Sequence, residues 1–136
     1  MKNYKIIKTN MCMVVDSNNK MLVLNRVKTD WPGLTFPGGH LEDGETLLES
    51  VVREVQEETG LTISTPHYRG RILWVDDKKK ICDVAYLFLA TAFKGTITSS
   101  TEGEVFFIEF NKYKDYPLST DFEKVVELIV KSTERV

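Results

Sequence analysis

Gly39-His40-Leu41-Glu42-Asp43-Gly44-Glu45-Thr46-Leu47-Leu48-Glu49-Ser50-Val51-Val52-Arg53-Glu54-Val55-Gln56-Glu57-Glu58-Thr59-Gly60-Leu61 is the stretch whose reading decides the fold. Leu47, Leu48, Val51, Val52 and Val55 recur at helical spacing, which predicts a helix from about Thr46 to Thr59 with one apolar face. Gly60 supplies its C-terminal stop. Offsets of three and four residues put Glu54, Glu57 and Glu58 on one side, away from that face. Each like-charge pair at such spacing costs roughly 0.2–0.5 kcal/mol on an exposed helix. Glu57 and Glu58 also lie in the last turn, where the helix dipole disfavours each anion by about 0.3–1 kcal/mol. A sequence selected for helix stability alone would place Lys or Arg there. A local rule broken in one spot marks function. Oxygen donors so crowded suit a hard divalent cation such as Mg²⁺ or Mn²⁺. The bland alternative for the glutamates alone is a solvated acidic face.

Immediately upstream, Phe36-Pro37-Gly38-Gly39-His40 is a second signal. Glycines let backbone approach a ligand closely. Their amides can meet phosphate oxygens, and a carbonyl can complete a metal shell. No G-x-x-x-x-G-K-[ST] occurs in the chain, so a P-loop is excluded. Further out, residues 4–15 and 21–26 read as strands joined by the turn cluster Asp16-Ser17-Asn18-Asn19-Lys20, a predicted hairpin. Residues 27–37 read as loop. Residues 68–75, 81–93 and 104–110 read as strands, and residues 121–133 as a second helix. Phe122, Val125, Val126, Ile129 and Val130 mark its buried stripe, with Asp121 as its cap. Strands interrupted by two one-faced helices predict an α/β fold, a mixed sheet packed between helices.

Composition narrows the function classes. The chain has 136 residues, 42% hydrophobic and 28% charged, with a net charge of -2. That length predicts a single domain over residues 1–136. The charge balance argues against electrostatic capture of a nucleic acid polymer or an anionic membrane. No apolar run reaches the ~18 residues of a membrane span, and residues 1–8 lack the apolar block of a signal peptide. A cytoplasmic protein is expected, with Cys12 and Cys82 as reduced core thiols rather than a bridge. Scattered Cys and His do not make a zinc site.

Residues 39–61 resemble the Nudix box: Gly, five residues, Glu, seven residues, Arg-Glu, aliphatic, any, Glu-Glu, any, Gly, aliphatic. Gly39, Glu45, Arg53, Glu54, Val55, Glu57, Glu58, Gly60 and Leu61 fill every specified place. A leading strand pair ending in Arg26, the Phe-Pro-Gly-Gly lead-in, later strands and a closing helix are similar to a small MutT-like Nudix hydrolase. The resemblance implies a Nudix-type sandwich and Mg²⁺-dependent hydrolysis of a nucleoside diphosphate linked to another group.

Carried over residue by residue, it implies metal ligation by Glu54, Glu57 and Glu58 with the Gly39 carbonyl beside them. Glu57 or Glu54 would be the general base, and Arg53 and Glu45 would hold the loop against the helix. The family often adds an acid from a distant loop. Glu102 is preferred to Glu104 because it sits further into its loop. Arg26 resembles a phosphate-contacting position, with a surface strand end as the alternative, and Gly38 and Gly39 are candidates for binding the substrate. Trp31 is a candidate for stacking on a base, with packing as the alternative. Thr120, or Asp121, lies where MutT-like enzymes read the base. His40 stands at a position that is commonly basic, with a solvated turn as the alternative, whereas Trp74, Phe36, Phe88 and Phe106 read as core.

The expected substrate is a small nucleotide: a nucleoside triphosphate, an oxidised one such as 8-oxo-dGTP included, cut to the monophosphate and pyrophosphate. The alternatives are a nucleotide sugar, ADP-ribose, a dinucleoside polyphosphate, or a non-catalytic domain that senses a nucleotide. A monomer and a homodimer are both compatible with the composition.

Overall fold

In the computed structural model, which describes residues 3–131, the chain runs β1 (Lys5–Val14), β2 (Lys20–Arg26), β3 (Gly33–Thr35), β4 (Gly38–His40), α1 (Leu47–Thr59), β5 (Leu61–Ser64), β6 (His67–Asp76), β7 (Ile81–Ala90), β8 (Ala92–Gly95) and β9 (Gly103–Glu109), then a 3₁₀ segment (Phe110–Asp115) and α2 (Phe122–Lys131). Three sheets form, in the orders β4-β1-β7-β6, β3-β2-β9 and β5-β8. The β1–β7 pair is parallel, from Lys5 opposite Ile81 to Val14 opposite Ala90, and the other pairs are antiparallel.

Successive side chains of a strand face opposite ways. Met13, Met21, Val23, Ala85 and Leu87 therefore join one core, with Phe122, Val125 and Ile129 of α2. Their neighbours Cys12, Val14, Leu22, Leu24, Phe88 and Ala90 join a second core, with Val51 and Val55 of α1. Strands buried on both faces read as unbroken apolar runs, and helices cover the two sides. Cys12 and Cys82 are free and buried.

The predicted hairpin does not form. The turn is present, with the Asp16 carboxylate accepting from the backbone amides of Asn18 and Lys20. Only an isolated bridge, Val15 to Met21, follows it, and the strands then part into different sheets. β1 takes ten residue pairs from β7, and β2 takes seven from β9. Two strands with two apolar faces each find more ladder with distant partners than with one another. The predicted loop 27–37 contains β3, which pairs with β2, while Leu34 exchanges hydrogen bonds with Pro117 and Ser119. In α1, Leu48 is 52% exposed, so the buried face is carried by Ser50, Val51, Val55 and Thr59. In α2, Val130 is likewise 52% exposed, and residues 132–133 of the expected helix lie outside the described residues. Asp121 spends its carboxylate on the Trp74 indole N–H at 2.7 Å.

Candidate active site

α1 carries the site, and its ends are well fixed. The Thr46 hydroxyl accepts from the Glu49 amide while the Glu49 carboxylate accepts from the Thr46 amide, a reciprocal capping box. At the other end Gly60 adopts φ 84°, and its N–H donates to the Gln56 carbonyl. No basic residue occupies the last turn.

The charge on the helix is offset by Arg53. Its Nε and Nη2 donate to the two oxygens of Glu45, at 2.6 and 3.0 Å. Nη1 reaches Glu54 at 2.6 Å and Glu57 at 2.9 Å, and Nη2 also reaches the His40 carbonyl at 3.1 Å. One planar fork thus ties the β4–α1 loop to the helix and spaces three carboxylates. Arg53 holds the Glu45 carboxyl down to about 2, helped by the backbone N–H donated from Glu42. Burial pushes the Glu54 carboxyl up against the pull of Arg53, with the charges of Glu57 and Glu102 adding to the rise.

Glu58, one turn on from Glu54 and lining the same cavity, is not among the carboxylates paired with Arg53. It accepts from the Gly38 N–H at 2.7 Å. Burial, reinforced by the charges of Glu102 and Glu54, still drives its carboxyl up to about 7. β4 fits between β1 and α1 only because Gly38 and Gly39 carry no side chain. A Cβ on Gly38 would fall 1.9 Å from the Asn10 carbonyl oxygen, and one on Gly39 would fall 2.2 Å from a Glu54 oxygen. Arg26, at the end of β2, donates to Glu102 and, at 2.9 Å, to Asp30.

A cavity of about 500 Å³ opens between these groups. Glu54, Glu58, Glu102 and Arg26 line it with Gly38 and Gly39. Trp31, Trp74, Phe36, Met11, Thr9 and Asp83 complete the wall. Trp31 and Trp74 meet edge to face, with centroids 5.1 Å apart. Among the described residues, the buried side-chain polar atoms without a partner are Asn10 Oδ1, Arg26 Nε and Trp31 Nε1, all from residues of this cavity. Unsatisfied groups gathered in one place are the mark of a functional site.

Most of the residues singled out in the sequence meet here, and some do not. Glu57 stands outside the cavity lining, its side chain 48% exposed and held by Arg53. Glu102 lines the cavity, whereas Glu104 sits in the β9 ladder opposite Asn25. Thr120 is exposed and lines no part of the cavity. Trp74, expected in the core, is a wall of the cavity; its ring is half-buried between the first core and the opening. His40 is exposed at the rim. Asn10 and Asp83 escaped the sequence reading. The only signal for either is a polar residue interrupting an apolar strand, which does not say which way the side chain turns.

The residues fit a divalent cation in chemistry more than in present arrangement. Glu54, Glu58 and Glu102 are hard oxygen donors lining one cavity, and Gly39 leaves the space that the Glu54 carboxylate fills. Among the described residues, no three Asp, Glu, His or Cys side chains converge closely enough to grip an ion as they stand. The reason is visible: Arg53 holds Glu54 and Glu57, and the Gly38 amide holds Glu58. Side-chain rotation away from these donors would free the oxygens.

A mixed sheet between helices, with an acidic helix packed against a glycine turn beside a cavity, is the architecture of the Nudix hydrolases. The NUDIX domain model matches residues 7–129, and the chain belongs to that family of hydrolases. It is 34% identical over 115 residues to an 8-oxo-dGTP diphosphatase of Buchnera aphidicola, covering 82% of this chain and 79% of that one. It is 28% identical over 116 residues to an ADP-ribose pyrophosphatase of Methanocaldococcus jannaschii, covering 84% and 68%. Among solved structures, a MutT protein from Bacillus halodurans superposes with a TM-score of 0.76 at 27% identity, over 93% of this chain and 84% of that one. The fold is the mixed α/β Nudix fold of MutT structures.

Proposed function

We propose that this chain is a Mg²⁺-dependent nucleoside triphosphate pyrophosphohydrolase that releases the monophosphate and pyrophosphate, with 8-oxo-dGTP among its candidate substrates. Mn²⁺ would substitute for Mg²⁺. The observation that carries the reading is one cavity lined both by carboxylates with Arg26, whose Nε has no partner, and by the edge-to-face pair Trp31 and Trp74. A polyphosphate suits the first set of residues and a base the second.

Glu54, Glu57, Glu58 and Glu102, with the Gly39 carbonyl, would hold the metal. When bound, it neutralises the anionic polyphosphate and acidifies the attacking water. The protein's own part is positioning and proton transfer. Arg26 and the Gly38–Gly39 backbone receive phosphate oxygens, Arg26 exchanging its present carboxylate partners for them. Glu54, which lines the cavity, or Glu57, outside the lining and now held by Arg53, takes the proton of the water that attacks phosphorus. Arg53 and Glu45 act through the others by holding loop and helix together.

A second reading, hydrolysis of ADP-ribose or another diphosphate-linked nucleotide, is favoured by the Methanocaldococcus jannaschii relative. The test is a panel of deoxynucleoside triphosphates, 8-oxo-dGTP, ADP-ribose, a nucleotide sugar and a dinucleoside polyphosphate, each with Mg²⁺ and with chromatographic identification of products. Monophosphate and pyrophosphate from triphosphates, at the highest kcat/KM of the panel, is the expected result. Faster cleavage of ADP-ribose would establish the second reading. Tight binding without turnover anywhere would make the domain a sensor.

A further inference from the structure

Of the carboxylates that line the cavity, Asp30 and Glu102 are held by Arg26, Glu42 and Glu54 by Arg53, and Glu58 by the Gly38 amide, which leaves Asp83. It lies on β7 directly across from Trp74 on β6, so the two side chains share one face of the sheet. Thr9, on the neighbouring strand β1, pairs with Ala85 and presents its side chain to the same face. The Trp74 ring is fixed by its hydrogen bond to Asp121 and by the edge of Trp31. Among the described residues no hydrogen bond or ion pair engages the Asp83 carboxylate. A half-buried carboxylate beside a fixed aromatic wall, within a ligand-sized cavity, is an acceptor pair with no protein donor.

The geometry points to Asp83 as the residue that reads the base, selecting a guanine-type ring by its donor edge. The inference rests on the nucleotide reading above and adds the residue and the base class. An ionised carboxylate has only acceptors, two oxygens side by side. The guanine edge offers two adjacent donors, N1–H and the exocyclic N2–H₂, and matches it bidentately. Adenine offers one donor beside the bare N1 lone pair, which a carboxylate repels. Oxidation at C8 leaves the guanine donor edge unchanged, so 8-oxo-guanine is accepted by the same contact. Neither Thr120, exposed outside the cavity, nor Asp121, committed to Trp74, is placed to do this.

Bidentate pairs of this type discriminate between bases by about ten- to a hundredfold. An amide in place of the carboxylate offers one donor and one acceptor, which complements adenine instead. The test measures binding of dGMP, 8-oxo-dGMP, dIMP and dAMP by quenching of tryptophan fluorescence, in the presence of EDTA. It uses the wild type, Asp83→Asn and Asp83→Ala, each checked for a cooperative melt. The expected wild-type order is dGMP and 8-oxo-dGMP first, dIMP weaker for its missing amino group, and dAMP weakest. In Asp83→Asn the guanine preference falls at least tenfold or inverts toward dAMP. In Asp83→Ala it falls without inverting, so a folding failure in one variant leaves the other to decide. A wild type with no guanine preference, or a preference that survives both substitutions, would overturn the assignment. Triphosphate turnover is read separately with Mg²⁺. A guanine preference that depends on Asp83, in a protein that hydrolyses no triphosphate, upholds the role of Asp83 and defeats the triphosphate reading.

Discussion

Arg53 is the residue on which the acidic helix balances. Like charges at helical spacing should destabilise α1, yet the guanidinium contacts Glu45, Glu54 and Glu57 together. Removing the charge of Glu57 therefore eliminates a repulsion from Glu54 and an attraction to Arg53 at once. Glu57→Gln is expected to change unfolding free energy by no more than about 0.5 kcal/mol in urea denaturation. If Glu57 is the general base, kcat falls by about 10²–10⁴ in the same variant. A loss of several kcal/mol would show that Glu57 is structural.

Glu58 is different, because burial dominates and outweighs the Gly38 amide and the charge of Arg26 that oppose it. Its carboxyl titrates at about 7 in the folded chain, against an ordinary value of 4.5. Between those values the folded state holds the proton and the unfolded state has lost it. Stability of the metal-free protein should then fall as pH rises from about 4.5 to about 7 and level off above. Melting curves across that range check it, and Glu58→Gln should flatten the slope. A stability that rises through the window in the wild type, with no change in slope in the variant, would contradict the assignment.

At the scale of elements, α1 was the most legible part of the chain. The sequence reading placed it at residues 46–59, and the helix is Leu47–Thr59 with Thr46 as its cap. Its signals are local: a capping box, an apolar period, a terminal glycine. Thr46→Ala removes one half of the capping box and should cost about 1 kcal/mol, measured by chemical denaturation. An unchanged midpoint would mean that packing, rather than the cap, sets the helix start. Strand existence was legible for the same reason, and strand partnership was not. The apolar runs of β1 and β2 announce burial on both faces without saying against what. The short strands β3 and β5 have three and four residues, too few for a period to show. α2 lost Val130 from its predicted stripe because β6 and β7 cover a narrower face than the run of apolar residues suggests.

At the scale of the molecule, the sheet does more than separate two cores. It carries Arg26, Trp74 and Asp83 into one cavity from β2, β6 and β7. The acidic part of the lining could be read from the sequence because Gly39, Glu54 and Glu58 lie in one contiguous motif with fixed spacing. The aromatic part could not, since it is assembled from residues far apart in the chain whose facing depends on strand register. Trp74 looked like core for that reason, and Asp83 looked like nothing at all.

The central claim is that the carboxylates lining this cavity bind a divalent ion. Titration of Mn²⁺ with the free ion followed by electron paramagnetic resonance tests it most directly, comparing wild type with a Glu54→Gln/Glu58→Gln double variant. The account predicts saturable binding by the wild type and an affinity lower by at least tenfold in the folded double variant. Equal Mn²⁺ uptake by the two proteins would contradict it.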